Sequence, residues 1–193
     1  MTGSFARKRG PCVPERQDLS RFALPPNFRG RSPLVVFLWQ IVQGSLFACS
    51  PQFAHGWRCF LLRAFGAKIG RRVIVRPSAR ITYPWKIAIG DYSWIGDHAE
   101  LYSLGPITIG AHSVVSQRAY LCAGTHDYRS PDFAILSPAI HVGDEVWIAT
   151  DVFVAPGITI GNGAVIGARS SVFNDIEAEV IAFGSPAKVQ GKR

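Results

Sequence analysis

The segment IGDYSWIGDHAELYSLGPITI, residues 89–109, has an aliphatic residue at every sixth position. The same period extends in both directions along the chain. Five such series contain seventeen positions, and all seventeen are aliphatic: Ile69, Val75, Ile81, Ile87; Ile89, Ile95, Leu101, Ile107; Ile109, Val115, Leu121; Val142, Ile148, Val154; and Ile160, Ile166, Val172. A six-residue repeat of this kind is typical of a parallel β-helix built from hexapeptides.

A second inward position accompanies the first, because the residue four places further on is usually small or β-branched. These residues are Val73, Ala79, Ser93, Ala99, Ser113, Ala119, Thr125, Val146, Val152, Ala164 and Ser170. Each hexapeptide therefore has one large and one small inward side chain. A single coil is too short to bury its own apolar face, so stacked coils share one continuous core.

Ile-Gly pairs mark the coil boundaries at residues 69–70, 89–90, 109–110 and 160–161, with Val142-Gly143 as their equivalent. Glycine suits a corner that needs either close approach or a positive φ. Successive pairs are 20, 20, 33 and 18 residues apart. The 33-residue interval is an 18-residue coil with 15 inserted residues, so an inserted loop is predicted between Leu121 and Val142.

Four regions follow from these patterns within one globular unit of 193 residues. Residues 1–33 form a basic, irregular tail, and residues 34–66 form a helical cap over the open end of the β-helix. The β-helix itself covers residues 67–180, with the inserted loop at about 127–141, and residues 181–193 form a C-terminal segment. In the cap, a first helix is predicted to pack through one side (Leu34, Leu38, Ile41, Val42, Ser45, Leu46), and a second runs from Trp57 to Phe65.

The apolar stretch from Leu34 to Cys49 is too short to cross a membrane, since its 16 residues fall below the roughly 20 needed. It also lies too far into the chain for a signal peptide. We therefore expect a cytoplasmic protein. The alternative for this N-terminal region is a peripheral contact, in which the helix lies flat on a membrane.

The formal charge of +8 comes with no recognised nucleic-acid motif, and the basic residues cluster towards the N-terminus. No nucleic-acid partner is predicted.

The four cysteines form no CxxC pair, which predicts reduced, buried thiols and neither a disulfide framework nor a metal site.

The coils, together with the motifs CAGTHD (122–127), VWIA (146–149), PGITIG (156–161), VIGA (165–168) and GSPAK (184–188), resemble the left-handed β-helix acyltransferases. The segment GWRCFLLRAFGAKIG (56–70) and residues 121–128 are similar, among the sugar O-acetyltransferases, to the colanic-acid-biosynthesis type. The resemblance covers residues 34–190 and supplies the left-handed sense of the coil.

The resemblance implies that His126 is a general base, which would remove the proton of a sugar hydroxyl as the oxygen attacks the thioester of acetyl-coenzyme A. It implies no catalytic metal. It also implies a homotrimer, because the family's site lies between two chains. The three flat faces of each coil suit threefold packing.

Carried over by position, the resemblance places the coenzyme against Trp147, Thr150, Ala168, Phe173, Asn174 and Lys188, and the sugar against Trp94. Two positions depart from the family. Gly96, flanked by Asp97, replaces an asparagine that positions the acetyl oxygen, which leaves open a backbone N–H as donor or Asp97 as the group orienting His126. Asn174 replaces a lysine near the coenzyme.

The sequence thus predicts an enzyme that acetylates a hydroxyl of a sugar in an exopolysaccharide or cell-surface glycan precursor. A xenobiotic acetyltransferase acting on an antibiotic hydroxyl and a noncatalytic trimeric scaffold are the alternatives.

Overall fold

The computed structural model describes residues 16–193, so residues 1–15 of the predicted tail, including Cys12, lie outside the described residues. Helix α1 spans Pro33–Val42 and continues through a π-helical turn, Gln43–Phe47, and helix α2 spans His55–Ala64. The strands are β1 Lys68–Ile69, β2 Ile74–Val75, β3 Arg80–Ile81, β4 Ile87–Ile89, β5 Trp94–Ile95, β6 Glu100–Tyr102, β7 Ile107–Ile109, β8 Val114–Val115, β9 Tyr120–Cys122, β10 Thr125–His126, β11 Ile135–Leu136, β12 Ile140–Val142, β13 Trp147–Ile148, β14 Phe153–Val154, β15 Thr159–Ile160, β16 Val165–Ile166, β17 Ser171–Val172, β18 Val180–Gly184 and β19 Ala187–Lys192.

Apart from the antiparallel pairs β10–β11 and β18–β19, the strands form three parallel sheets, because each turn of the chain contributes one strand to each sheet. Sheet A has the order β1-β4-β7-β12-β15, sheet B β19-β18-β16-β13-β8-β5-β2, and sheet C β17-β14-β9-β6-β3. Five complete coils are followed by a partial sixth, in which β18 pairs with β16 and then turns back on β19. The predicted left-handed parallel β-helix with N-terminal helices and a protruding loop is confirmed.

The core runs along the axis of the coils. Of the seventeen aliphatic positions, only Ile69 in the first coil is not fully buried. Ten of the eleven small positions are buried as well. Thr125 is the exception, and its prediction is wrong because the chain has already left the coil there and Thr125 is exposed in β10.

The Ile-Gly pairs require glycine because neighbouring coils approach each other closely at these positions. A Cβ atom on Gly90 would lie 2.5 Å from the nitrogen of Ala111 and 2.6 Å from the carbonyl carbon of Gly110, which belong to the backbone of the next coil. None of these five glycines has a positive φ. The left-handed corner lies two residues further on, for example at Tyr92 (φ 59°) and His112 (φ 56°).

The helices complete the hydrogen bonds at the open edge of the first coil. The indole of Trp39 donates to the carbonyl of Ile81 at 2.8 Å, and the backbone N–H of Ile81 donates to the side-chain oxygen of Gln43 at 2.7 Å. Ile81 lies in β3, the edge strand of sheet C. Unpaired edge groups would otherwise offer a template for association with another chain.

Arg58 provides the second attachment of the helices. Its side chain is completely buried, and it donates to the carbonyls of Val75 (2.6 Å), Pro51 (2.8 Å) and Gln52 (2.6 Å) and to the hydroxyl of Ser50 (2.7 Å). Burial lowers the pKa of the guanidinium, but arginine remains charged in proteins. The bonds fix the turn between α1 and α2 on sheet B.

The side of α1 that faces the β-helix differs from the prediction. Val36 and Trp39 are buried with Phe47, and Val42 packs against the core as predicted. The other predicted apolar contact residues, Leu34, Leu38, Ile41 and Leu46, are 44–65% exposed. The helix is apolar all round except for Gln40, so spacing alone could not identify the buried face. Neither helix within residues 16–193 combines the length and apolar content needed to cross a bilayer.

The thiols of the described residues also depart in part from the prediction. Cys49, Cys59 and Cys122 are free, and only Cys59 is buried, while Cys49 is exposed.

The Gly90→Ala substitution tests the stacking of the coils. Because the new methyl group would collide with the backbone of the next coil, we expect a loss of about 1–3 kcal/mol in the free energy of unfolding, measured by denaturant titration. Gly56→Ala is the matched control, since nothing lies within 4 Å of a Cβ at that helical position. Equal stability of the two variants would contradict this account of the coil contact.

Candidate active site

The inserted loop is a β-hairpin that projects from the third coil. The chain leaves the coil after Cys122, where β9 ends, and returns at Ile140, where β12 begins. Inside the loop, β10 pairs with β11 in antiparallel register, Thr125 opposite Leu136 and His126 opposite Ile135. His126 is therefore held in a hydrogen-bonded strand and not in an irregular segment.

The ring of His126 is fixed by a single residue of the same hairpin. Nδ1 lies 2.8 Å from the carbonyl oxygen of Phe133, and the two rings stack at 4.2 Å between centroids with an interplanar angle of 9°. Since a carbonyl oxygen only accepts, Nδ1 must carry the hydrogen, and in the neutral imidazole Nε2 then has the free lone pair. This arrangement suits a general base.

Phe133 adopts an unusual backbone conformation for a bulky residue. Its φ is 50°, in the left-handed region, and its N–H donates to the carbonyl of Ser130 at 3.0 Å. Such a conformation costs a non-glycine residue of the order of 1–3 kcal/mol, and ten other non-glycine residues of the described chain share it, most of them at corners of the coils. The strained residue here is the one that both binds and stacks on His126.

The N-terminal segment also reaches this hairpin. The ring of Phe22 lies 5.9 Å from the ring of His126, and the backbone N–H of Asp18 donates to the carbonyl of Pro131 at 2.7 Å. Neither Phe22 nor Phe133 was predicted from the sequence. No signal could have revealed them, because one acts through a backbone carbonyl and the other is remote in the sequence.

Among residues 16–193 of one chain, Asp97 makes no hydrogen bond to His126. Its carboxylate accepts a hydrogen bond from Ser78 Oγ at 2.8 Å and lies 3.5 Å from Arg76 Nε. Within the chain, the imidazole is oriented by the carbonyl of Phe133, which is neither of the two alternatives that the sequence left open.

Gly96 has no room for the family's asparagine. A Cβ atom there would lie 2.6 Å from the backbone nitrogen of Gln117 in the next coil. The N–H of Gly96 itself donates to the carbonyl of Val115 at 2.8 Å, so this group is engaged in the coil and does not face a substrate.

Two exposed tryptophans share the outer surface of sheet B. Trp94 and Trp147 occupy equivalent positions in register, with Val114 between them, and they are 52% and 50% exposed. The indole N–H of Trp147 donates to Ser116 Oγ at 3.0 Å, which fixes the orientation of the ring. The predicted sugar-binding and coenzyme-binding tryptophans therefore lie on one face.

Thr150 and Ala168 follow Trp147 at the corner of the coil. They occupy the same place in successive coils, two residues after the paired positions Ile148 and Ile166. The hydroxyl of Thr150 donates to the carbonyl of Gln117 at 3.0 Å. Together with Trp147 they form a continuous strip.

The remaining predicted residues lie on other parts of the surface. Phe173 and Asn174 are exposed just after β17 of sheet C, and Lys188 is exposed on β19, the last strand of sheet B. His126 makes no hydrogen bond or ring contact with any predicted coenzyme residue in residues 16–193 of one chain.

A row of aromatic rings crosses sheet C and ends at Phe173. Tyr102, Tyr120, Phe153 and Phe173 lie 5.8–6.0 Å apart from ring to ring, and Tyr120 is two residues from the start of the inserted loop. Burial raises the pKa of the Tyr102 and Tyr120 hydroxyls, so both remain protonated at neutral pH. This row was not predicted, because its members belong to separate coils.

Among residues 16–193, no three His, Cys, Asp or Glu side chains are grouped so that they could hold a metal ion. An imidazole base and a thioester donor need none.

Comparison with known proteins identifies the family, although no family model matches the sequence. The chain is 57% identical over 177 residues to the protein of Escherichia coli strain K12 named as a colanic acid biosynthesis acetyltransferase, WcaF. The alignment covers 92% of this chain and 97% of the relative. The chain belongs to the WcaF family of acetyltransferases.

More distant relatives agree with this assignment. Galactoside O-acetyltransferase of the same organism is 30% identical over 132 residues, which cover 67% of this chain and 65% of the relative. A solved structure of galactoside acetyltransferase in complex with coenzyme A superposes with a TM-score of 0.77 at 25% identity, over 87% of this chain and 83% of that one. The family and fold predicted from the sequence are confirmed.

The tautomer of His126 can be measured directly. Because Nδ1 donates to the Phe133 carbonyl, we expect a neutral ring protonated on Nδ1, detected by long-range proton–nitrogen correlation in a ¹⁵N-labelled acetyltransferase. The His126→Ala variant identifies the signal. A neutral ring that carries its proton on Nε2 would contradict the geometry.

Proposed function

We propose that this acetyltransferase moves an acetyl group from acetyl-coenzyme A to a hydroxyl of a sugar in an exopolysaccharide or cell-surface glycan precursor, with His126 as general base. The observation that carries the proposal is the fixed imidazole of the hairpin, which has Nδ1 bound to the Phe133 carbonyl and Nε2 available. The 57% identity to a colanic acid biosynthesis acetyltransferase supports the class of acceptor.

The proposed reaction is a direct transfer without an acyl-enzyme. Nε2 of His126 takes the proton of the acceptor hydroxyl as its oxygen attacks the thioester carbonyl. The carbon–sulfur bond then breaks, and the imidazolium returns the proton to the departing thiolate. The carbonyl of Phe133 stabilises the positive charge on the ring in between, because it accepts from Nδ1.

The strip Trp147, Thr150 and Ala168 would bind the coenzyme, with Phe173 and Asn174 along the same molecule and Lys188 near its phosphates. Lys188 is exposed on β19. Trp94 offers a half-exposed aromatic face to the sugar. With acetyl-coenzyme A as donor, the cytoplasm is the expected location.

We further propose a homotrimer in which these surfaces meet across a subunit boundary. Within one chain the strip makes no hydrogen bond or ring contact with His126. A neighbouring chain would instead bring its own strip against the hairpin. The three sheets of the coil give the flat faces that such packing requires.

The His126→Ala substitution tests the base. Turnover, followed as thiol release from acetyl-coenzyme A with nucleotide-linked or lipid-linked sugars, should fall about 10²- to 10⁴-fold, the usual contribution of a general base. His141→Ala is the matched control, because that ring is exposed on sheet A and, among residues 16–193, its one side-chain hydrogen bond is to Thr108. Full activity of His126→Ala would exclude it as the base.

The turnover assay and a binding measurement together separate the alternatives. Turnover with hydroxylated antibiotics but with no sugar would indicate the xenobiotic enzyme. No binding of acetyl-coenzyme A in calorimetry would indicate the noncatalytic scaffold.

The shared site is tested by complementation between two weakened variants. Trp147→Ala alone should raise the KM for acetyl-coenzyme A about tenfold, since aromatic anchors often contribute more than 1 kcal/mol, and His126→Ala alone should lack the base. Mixed trimers formed by coexpression contain some boundaries with both native residues, so activity at low acetyl-coenzyme A should exceed the mean of the two pure variants. Activity no higher than that mean, or a monomer by light scattering, would place the site within one chain.

A further inference from the structure

The helices carry a large apolar surface that faces away from the β-helix. On α1, Leu34, Phe37, Leu38 and Ile41 follow the spacing of a single helical face and are 44–65% exposed. They lie on the side opposite Val36 and Trp39, which are buried. An apolar stripe at this spacing ordinarily marks the buried side of a helix.

The following turn and α2 carry further exposed apolar residues. Phe53, in the turn between the helices, is 84% exposed, and Trp57 stacks on Phe60 at 5.7 Å. The indole of Trp57 donates to the carbonyl of Leu46, which ties the two helices together. We call this surface the cap face, and it consists of Leu34, Phe37, Leu38, Ile41, Leu46, Phe53, Trp57 and Phe60. Contiguous exposed patches of this kind mark interaction sites.

The segment that carries the cap face has a net positive charge, although Arg71 and Arg76 are paired with Asp91 and Asp97 and Arg58 is buried. Residues 19–90 contain eleven Lys and Arg residues and no Asp or Glu. Arg29 and Arg31 are exposed immediately before α1, and Arg63 is exposed one turn after Phe60, where it is anchored to the carbonyls of Ile69 and Gly70. Eleven of the thirteen acidic residues lie after residue 90.

We propose that the cap face docks on an anionic phospholipid bilayer. A bilayer provides both an apolar interior for Phe37 and Phe53 and negative headgroups for the arginines. Two copies of the cap face would instead bring like charges together. Because neither helix is long enough to span, α1 and α2 lie parallel to the membrane surface.

Docking of this kind does not depend on acetyl transfer. If the proposed function holds, it would bring His126 close to acceptors carried on lipid. The observations that support membrane docking are independent of those that support acetyl transfer, since the cap face lies on the helices and the imidazole on the inserted hairpin.

Vesicle flotation of the full chain tests the proposal. The protein should float with phosphatidylethanolamine vesicles that contain phosphatidylglycerol, and should bind phosphatidylcholine vesicles at least about tenfold more weakly, since each basic residue near an anionic surface contributes about a fivefold factor. Binding should weaken as salt is added. Equal binding to both kinds of vesicle, or binding to neither, would overturn the proposal.

Paired variants locate the surface. Phe37→Ser/Phe53→Ser should lose at least about tenfold in vesicle binding, because two apolar side chains no longer enter the bilayer, while its melting temperature stays unchanged. The control Phe183→Ser/Val189→Ser alters two residues that are 49% and 53% exposed at the other end of the β-helix, and it should bind as the native protein does. Equal losses in both pairs would contradict the assignment.

Further controls distinguish a bilayer from other binding partners of the cap face, and membrane docking from the proposed acetyl transfer. Arg29→Glu/Arg31→Glu should lose binding to the phosphatidylglycerol vesicles. If light scattering instead shows self-association that Phe37→Ser/Phe53→Ser abolishes, with no vesicle binding, the occupant is a second copy and the proposal fails. His126→Ala should float as the native protein does, and Phe37→Ser/Phe53→Ser should keep its activity on a water-soluble sugar.

Discussion

The structure depends on the close stacking of one coil on the next. Each short strand is stabilised by its partners in neighbouring coils, because two or three residues cannot form a sheet alone. The backbones approach closely enough that Gly70, Gly90 and Gly110 have no space for a Cβ atom. Buried serines take part in the same stacking, as Ser93 Oγ donates to the carbonyl of Gly110 at 2.7 Å and accepts from the N–H of Ser113 at 3.0 Å. The result is a rigid scaffold with outward faces whose residues are in register.

On this scaffold, the inserted hairpin places one imidazole with little freedom. The carbonyl of Phe133 selects the tautomer and its ring selects the plane, at the expense of a left-handed backbone at that residue. Pre-organisation of this kind reduces the reorganisation that a proton transfer requires. The ring of Phe22 brings the N-terminal segment against the hairpin, which is therefore supported by a second part of the chain.

The repeat could be recognised in the sequence because each Ile, Val or Leu occupies the same environment in every coil. Local spacing was therefore sufficient to predict the β-helix. The position of His126 followed from a motif at the start of the insertion. The orientation of its ring did not, because the acceptor is a backbone atom and any residue at position 133 would supply one. The buried side of α1 could not be predicted either, since nearly every side of that helix is apolar. The hydrogen bond from the indole of Trp39 to the carbonyl of Ile81 decides which side faces the coils. Likewise, Thr125 fits the repeat but lies in the hairpin, because periodicity alone does not show where the chain leaves the coil.

The central claim is that the hairpin imidazole faces the thioester of a coenzyme bound along the strip of a neighbouring subunit. A crystal structure of the protein with coenzyme A tests it most directly. The account predicts the coenzyme sulfur beside His126, within about 3–4 Å of Nε2 directly or through one water, with the pantetheine arm along Trp147 and Thr150 of the adjacent chain. A coenzyme bound with its sulfur away from the hairpin, or a hairpin in which Nε2 faces the interior of its own chain, would contradict it.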